Sequence, residues 1–362
     1  MQSIYIMSTT DYSGKSLLTL GIGLKLKELG KKIGYFKPFG RLATTVDGTI
    51  VDKDACILKD ALGLEEPPQE ICPVVLTRDL LVEGLKGETP GLMDKVVEMF
   101  DKISRDKDVV IVGGAGNIFD GLFLGISGIE VSKKLDTRVI LIDSRDFLKD
   151  ETFVDTIMVA KGMLEDRLLG VVVNNISRES REFILEFVSP YLQRNGMKVL
   201  GVIPHDDLLG SVTIRELAEA LAGKILCAED RIDDLVESFQ IGAMDAPTAR
   251  KHLRKIKNNA LITGGQRTEM IMAALDTPTK CIILTGGHIP SQQVIASADR
   301  AGVPLISVRM NTLGATERVE RIMGRVRLEE KQKIDRARKL LDDWFNYGDL
   351  FKELGIAQSF GP

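Results

Sequence analysis

The sequence predicts an α/β protein: a domain on a largely parallel sheet, a second and smaller α/β unit, and a C-terminal helix. Three observations lead there. The β-rich segment QSIYIM passes through STTDYSGKS into LLTLGIGLKLKELG, which is the order strand, loop, helix. Five further β-rich runs, KIGYFKP, DVVIVGG, RVILID, LLGVVVNN and KVLGVIP, alternate with helical stretches up to residue 210, the spacing of βαβ units. Beyond it, ALITGG (Ala260 to Gly265) recurs as IILTGG (Ile282 to Gly287), each followed by a helical stretch, with VPLISV as a third strand.

The first loop carries the most chemistry. A tight loop between strand and helix points backbone N–H groups at phosphate oxygens, and Gly14 permits close approach without a Cβ. Lys15 then meets the β/γ-phosphates as a point charge, and the Ser16 hydroxyl is placed to ligate Mg²⁺. Thr10, Asp11, Ser13 and Leu17 complete this nucleotide-binding segment. A strict Walker A motif would have Gly where Thr9 stands, so the general pattern is broken at its first position. Leu17, Leu18, Leu20, Ile22, Leu24, Leu26 and Leu29 carry the helix on, and Gly30 stops it.

Runs such as Val109 to Val112 and Val171 to Val173 are apolar at consecutive positions, as in strands covered on both faces. Ligands of such sheets sit at strand C-terminal ends, where Thr10/Asp11, Gly113/Gly114 and Asn174/Asn175 fall.

Composition limits the partners. Acidic and basic residues are interspersed with a net charge of −4, so no basic face for nucleic acid or anionic membrane is expected. MQSIYIM lacks a signal-peptide pattern and no apolar run is long enough to span a bilayer, which places the protein in the cytoplasm. Cys56, Cys72, Cys227 and Cys281 have no CxxC spacing and read as buried free thiols.

In the second unit the paired Thr-Gly-Gly turns are either an anion site at helix N-termini, using Thr263, Gly264, Gly265, Thr285, Gly286 and Gly287 with charge from Arg267, or simply tight βα turns. From Arg325 onward the chain reads as a charged helix, with Glu329/Lys333 and Asp335/Lys339 in favourable order. Its apolar stripe, Ile334, Ala337, Leu341, Trp344 and Phe345, needs a cover. Either it packs back on the second domain or it forms a homo-oligomer or partner interface.

Residues 1 to 210 resemble dethiobiotin synthetase, and more closely the dethiobiotin-synthetase-like N-terminal domain attached to some phosphotransacetylases. The carrying blocks are GKS, YFKP, VDKDACILKDALGL, EICPVVLT, VGGAGN, VVVNN and LGVIP. Residues 212 to 324 resemble the DRTGG domain that follows there, with NALITGGQRTEMI as its core, leaving 325–362 as the helical tail.

The resemblance implies ATP and Mg²⁺ as cofactors, catalytic roles for Lys15 and Lys37, and Ser16 with Asp54 as metal ligands. Asp52, two residues from Asp54, is expected to cap the helix instead. It also puts Asn174 and Pro204 at the adenine. Where the synthetases read EGAG, this chain reads GGAG, so the acidic ligand is missing at Gly113. The expected function is therefore an ATP/Mg-binding protein with a regulatory or sensor role, its nucleotide state coupled to a DRTGG domain that takes an unidentified small anion or metabolite. The alternative is an ATP-dependent ligase or cyclase related to dethiobiotin synthetase or cobyrinic acid amide synthase. Phosphotransacetylase activity is not expected, since residues 325–362 are too few for the acetyl-transfer domain.

Overall fold

The computed structural model describes residues 1–144, 152–323, 328 and 330–356. It forms two compact units, Met1–His205 with Arg327–Pro362, and Asp206–Val326.

The first unit is built on strands β1 (Gln2–Ser8), β2 (Ile33–Phe36), β3 (Val109–Gly113), β4 (Arg138–Asp143), β5 (Leu168–Ile176) and β6 (Val199–Pro204), paired in the order β6-β5-β4-β1-β3-β2. All pairings are parallel, and they include the six runs read from the sequence. β1 sits between β3 and β4, so its C-terminal end is flanked by Gly113 and Asp143. Burial explains the continuous apolar runs: Ile4, Ile6, Val110, Ile111, Val112, Ile140, Leu141 and Val172 have no exposed surface.

Helix α1 (Lys15–Glu28) leaves the loop after β1 and ends on Gly30, whose φ of 71° suits glycine. α2 (Lys53–Ala61) follows a hairpin that alternation of β and helical runs does not reveal, Ala43–Val46 against Thr49–Asp52.

The second unit carries a sheet of β7 (Ser238–Ile241), β8 (Asn259–Gly264), β9 (Thr279–Thr285) and β10 (Leu305–Ser307), parallel throughout, with the two-residue strand Lys224–Ile225 antiparallel at the β10 edge. The period of two divides its core. Ala260, Ile262, Cys281, Ile283 and Ile306 face one cluster, and Leu261, Ile282, Leu284 and Leu305 the other.

The C-terminal helices α3 (Lys331–Trp344) and α4 (Tyr347–Glu353) belong to the first unit. Of the two covers expected for the apolar stripe, packing on the second domain gives way to packing on the first unit. Ala337 and Leu341 are fully buried, a Cβ on Gly21 of α1 would fall on Leu341, and Asn346 N–H donates to Leu200 O of β6 at 2.7 Å. Trp344 stays partly exposed under the Arg181 guanidinium, 4.2 Å from its ring centre. Of the expected helix pairs, Glu329/Lys333 involves a residue outside the described ones; Lys333 is buried and pairs with Glu330 at 3.2 Å. Cys72, Cys227 and Cys281 are buried and Cys56 is half-buried, all as free thiols. No helix among the described residues is long and apolar enough to cross a membrane.

Candidate functional site

The loop between β1 and α1 is shaped by its own hydroxyls. Ser8 Oγ donates to Thr10 O and lies 2.7 Å from Gly116 O, and Ser13 Oγ donates to Thr10 O at 2.6 Å. Two left-handed residues turn the chain, Tyr12 (φ 56°) and Gly14 (φ 100°). Gly14 is the N-cap of α1, so that helix starts with no side-chain cap and no acid in its first turn. Its N-terminal N–H groups and partial positive charge are left for an anion. A Cβ on Gly14 would fall on the Asn174 amide, which donates to Ser13 O at 2.9 Å. Asn174 thus braces the loop from beneath, buried, while Pro204 ends β6 half-buried and Leu17 packs in the core. Ser16 is half-buried in the first turn of α1.

Lys15 folds back along the loop. Its Nζ donates to Ser8 Oγ at 2.7 Å and to Gly116 O, and the side chain is nearly buried. Among the described residues those bonded partners are neutral oxygens. Burial, and secondly the nearby Lys37, push its pKa down to about 8; Asp11, Asp54 and Asp120 act the other way and do not compensate. Among the described residues no carboxylate is hydrogen-bonded to this ammonium.

Lys37 is the opposite case. Just past β2, its buried Nζ lies 2.7 Å from Asp52 Oδ1 and 3.3 Å from Asp54 Oδ2. Burial alone would lower its pKa, but Asp54 and Asp52 outweigh that and raise it. Asp52 is the cap of α2, accepting from Ala55 N at 3.0 Å, and it also accepts Leu42 N at 3.0 Å. The sequence reading had the cap but missed this second role. Two residues apart, Asp52 and Asp54 reach one ammonium because the cap precedes the helix and Asp54 opens its first turn.

Three participants went unseen or unplaced in the sequence. Arg41 lies across the loop mouth, its Nη1 3.2 Å from Asp11 and 2.6 Å from Asp120. Asp120 Oδ2 also accepts Gly116 N at 2.7 Å, so this carboxylate does point into the site. Asp143, ending β4, accepts from Thr9 Oγ1 and is fully buried. The strand-end rule would have found Asp143; nothing in the sequence flags Arg41.

The departure at Gly113 has a structural reason. A Cβ there would sit 2.8 Å from the hydroxyl of buried Tyr35, so a glutamate cannot occupy the position unless the ring moves. Burial, with Asp52 and Asp54 nearby, pushes the Tyr35 phenol further up, so it stays neutral. Among the described residues no group of three His, Cys, Asp or Glu could hold a metal. Of the two residues expected to hold Mg²⁺, Ser16 is half-buried at the start of α1 and Asp54 lies 3.3 Å from the Lys37 ammonium.

In the second unit, Gly265 N–H donates to Thr285 O, Gly286 N–H to Met310 O and Gly287 N–H to Val308 O. Arg267 turns its guanidinium onto Gly242 O and Met244 O. Thr285 Oγ1 lies 3.0 Å from Thr312 Oγ1 and donates to Thr263 O, whereas the buried Thr263 Oγ1 has no hydrogen-bond partner among the described residues. Gly264 closes β8. As they stand, these turns spend their donors on the main chain.

Comparison with known proteins places both units. The AAA domain family matches residues 2–213 and the DRTGG domain family residues 216–322. Curated relatives include phosphate acetyltransferases of Pseudomonas aeruginosa, 22% identical over 98% of this chain and 52% of that protein, and of Nitrosomonas europaea, 23% identical over 99% and 52%. The chain spans about half the length of these relatives. Among solved structures, the MinC:MinD cell division protein complex of Aquifex aeolicus aligns at TM-score 0.33 and 18% identity over 58% of this chain and 84% of that one. The CBS and DRTGG domains of the regulatory region of Clostridium perfringens pyrophosphatase, complexed with the activator diadenosine tetraphosphate, align at 0.30 and 15% over 40% and 71%. With more than half of its residues matched, this chain belongs to the AAA domain family, with a dethiobiotin-synthetase-like P-loop, and carries a DRTGG domain after it.

Proposed function

We propose that residues 8–16 bind ATP with Mg²⁺ and that the protein has a regulatory role, in which nucleotide occupancy of the first unit is coupled to the DRTGG domain. The observation carrying this reading is Lys15: a nearly buried ammonium bonded to neutral oxygens, at the uncapped start of a 14-residue helix. Polyphosphate supplies a directly bonded counter-charge, and the helix N-terminus adds N–H donors. Tyr35 filling the space beside Gly113 supports binding over turnover, because the acid of the synthetases has no room there. Titration calorimetry with ATP and Mg²⁺ tests the reading. Saturable binding is expected for the native chain and none for Lys15→Ala; no saturable heat from the native chain would end it.

A second reading, an ATP-dependent ligase or cyclase, is favoured by Lys37. Its buried ammonium lies close enough to Lys15 for the two to affect each other electrostatically, as a group contacting a reacting phosphate would. Its signature is substrate-dependent ADP release that disappears in Lys37→Ala. The acetyl transfer named for the relatives belongs to proteins about twice this length.

A further inference from the structure

We propose that Arg41 selects nucleoside triphosphate over diphosphate: its guanidinium bridges Asp11 and Asp120 across the loop mouth and exchanges those carboxylates for a terminal phosphate. The inference rests on residues 8–16 being a nucleotide site, and it adds what reads the phosphate number there.

The two carboxylates come from the two loops that enclose Lys15. Asp11 lies within the phosphate loop, and Asp120 follows Gly116, whose carbonyl receives the Lys15 ammonium. Gly116 is what allows the cluster to form. A Cβ there would fall on Arg41 Nη1, Asp120 Oδ2 and Asp11 Oδ1 together, so only glycine lets the three charges meet over it. One residue thus has Lys15 at its carbonyl and Arg41 over its Cα. An anion that draws Lys15 off Gly116 O arrives within reach of Arg41.

The space left beside Lys15 and Asp120 is about 10 Å³, roughly that of one water. Phosphate groups fit only when these side chains turn, and phosphate is what both cations recognise. Arg41 is built to turn while its backbone stays. Gly40 O accepts Leu76 N–H at 2.8 Å, and Leu42 is held on both sides, its N–H on Asp52 at 3.0 Å and its carbonyl under Lys53 N–H at 2.8 Å. The side chain itself is 41% exposed, with Asp11 at 40% and Asp120 at 17%. The pair with Asp11 is exposed and weak, the one with Asp120 is the firmer hold, and a bidentate contact to phosphate competes with both.

The test is to measure dissociation constants for Mg·ATP and Mg·ADP in the native chain, Arg41→Gln and Asp120→Asn. Arg41→Gln should weaken ATP about tenfold or more, about 1.4 kcal/mol. ADP should stay within about twofold, because it lacks the terminal phosphate that Arg41 takes. Asp120→Asn keeps an oxygen for the Gly116 N–H while removing the stronger of the two charges that hold Arg41, so it should tighten ATP. No loss for either nucleotide in Arg41→Gln, or equal losses for both, overturns the proposal, the second outcome marking Arg41 as structural only. A native chain that binds neither nucleotide removes the nucleotide reading itself and this inference with it, whereas intact ATP binding with an unaltered ratio removes this inference alone.

Discussion

Replacing Lys15 by methionine should make the ligand-free protein more stable while abolishing its nucleotide binding. The magnitude follows from the buried ammonium. Each pH unit of displacement is worth about 1.4 kcal/mol, and moving the group from 10.5 to about 8 therefore costs the folded protein about 3 kcal/mol at neutral pH. Methionine keeps most of the side-chain volume but gives up the hydrogen bonds to Ser8 and Gly116, worth about 1 kcal/mol each. The expected net gain is about 1–2 kcal/mol, or several degrees in Tm. The pH dependence has a defined direction. Between about pH 8 and 10.5 the unfolded chain holds this proton more tightly than the folded one, so the native protein regains stability relative to Lys15→Met as pH rises. Below about pH 8 the full penalty is present. Urea unfolding of both proteins from pH 7 to 10 isolates the effect, since all other titrating groups are shared. ATP at a hundredfold excess over Kd should add about 2.7 kcal/mol to the native chain and nothing to the variant. A variant less stable than the native chain at pH 7, with a stability gap that does not change up to pH 10, would refute the reasoning.

Among the described residues, Asp52→Asn leaves the buried Lys37 with the exposed Asp54 as its one carboxylate; a loss of about 3 kcal/mol or more is expected in chemical denaturation, with the cap to Ala55 retained through the amide oxygen. Gly113→Glu should fail to fold in the native background and be rescued in part by Tyr35→Ala, as read by circular dichroism, because the ring is what occupies the space. Leu341→Ala removes a fully buried side chain from the face of α1 and should cost about 2–5 kcal/mol, with weakened ATP binding if the helix shifts at its loop end. Gly265→Val should disrupt the second unit with or without a ligand, since its Cβ would strike the His288 main chain; Gly287→Ala meets only the strain of φ 69°, about 1 kcal/mol. Gly287→Ala is thus the informative probe of coupling. Any anion that strengthens ATP affinity must itself bind more tightly with ATP present, by the same factor, and equal ATP affinity with and without candidate anions would leave the two units uncoupled.

The strands and the phosphate loop were legible in the residues because they rest on local rules. Consecutive valines at 109 and 110 or 171–173 require burial on both faces, a period of two in Ile282, Ile283 and Leu284 separates the two faces of the second sheet, and Gly14 and Gly30 stand where φ is positive. Asp52 as a helix cap follows from the same kind of rule, since a cap lies within three residues of its partner. What tertiary structure decided are contacts across long stretches of chain. Lys15 faces Gly116, Arg41 joins Asp11 to Asp120, and Tyr35 fills the side of Gly113, each pairing set by which strand ends the parallel sheet brings together. The C-terminal helix shows the limit most plainly. Its amphipathic stripe announces that a cover exists, but hydrophobic burial has no direction, so only the complementary gap at Gly21 and the edge at Leu200 determine that the cover is the first unit.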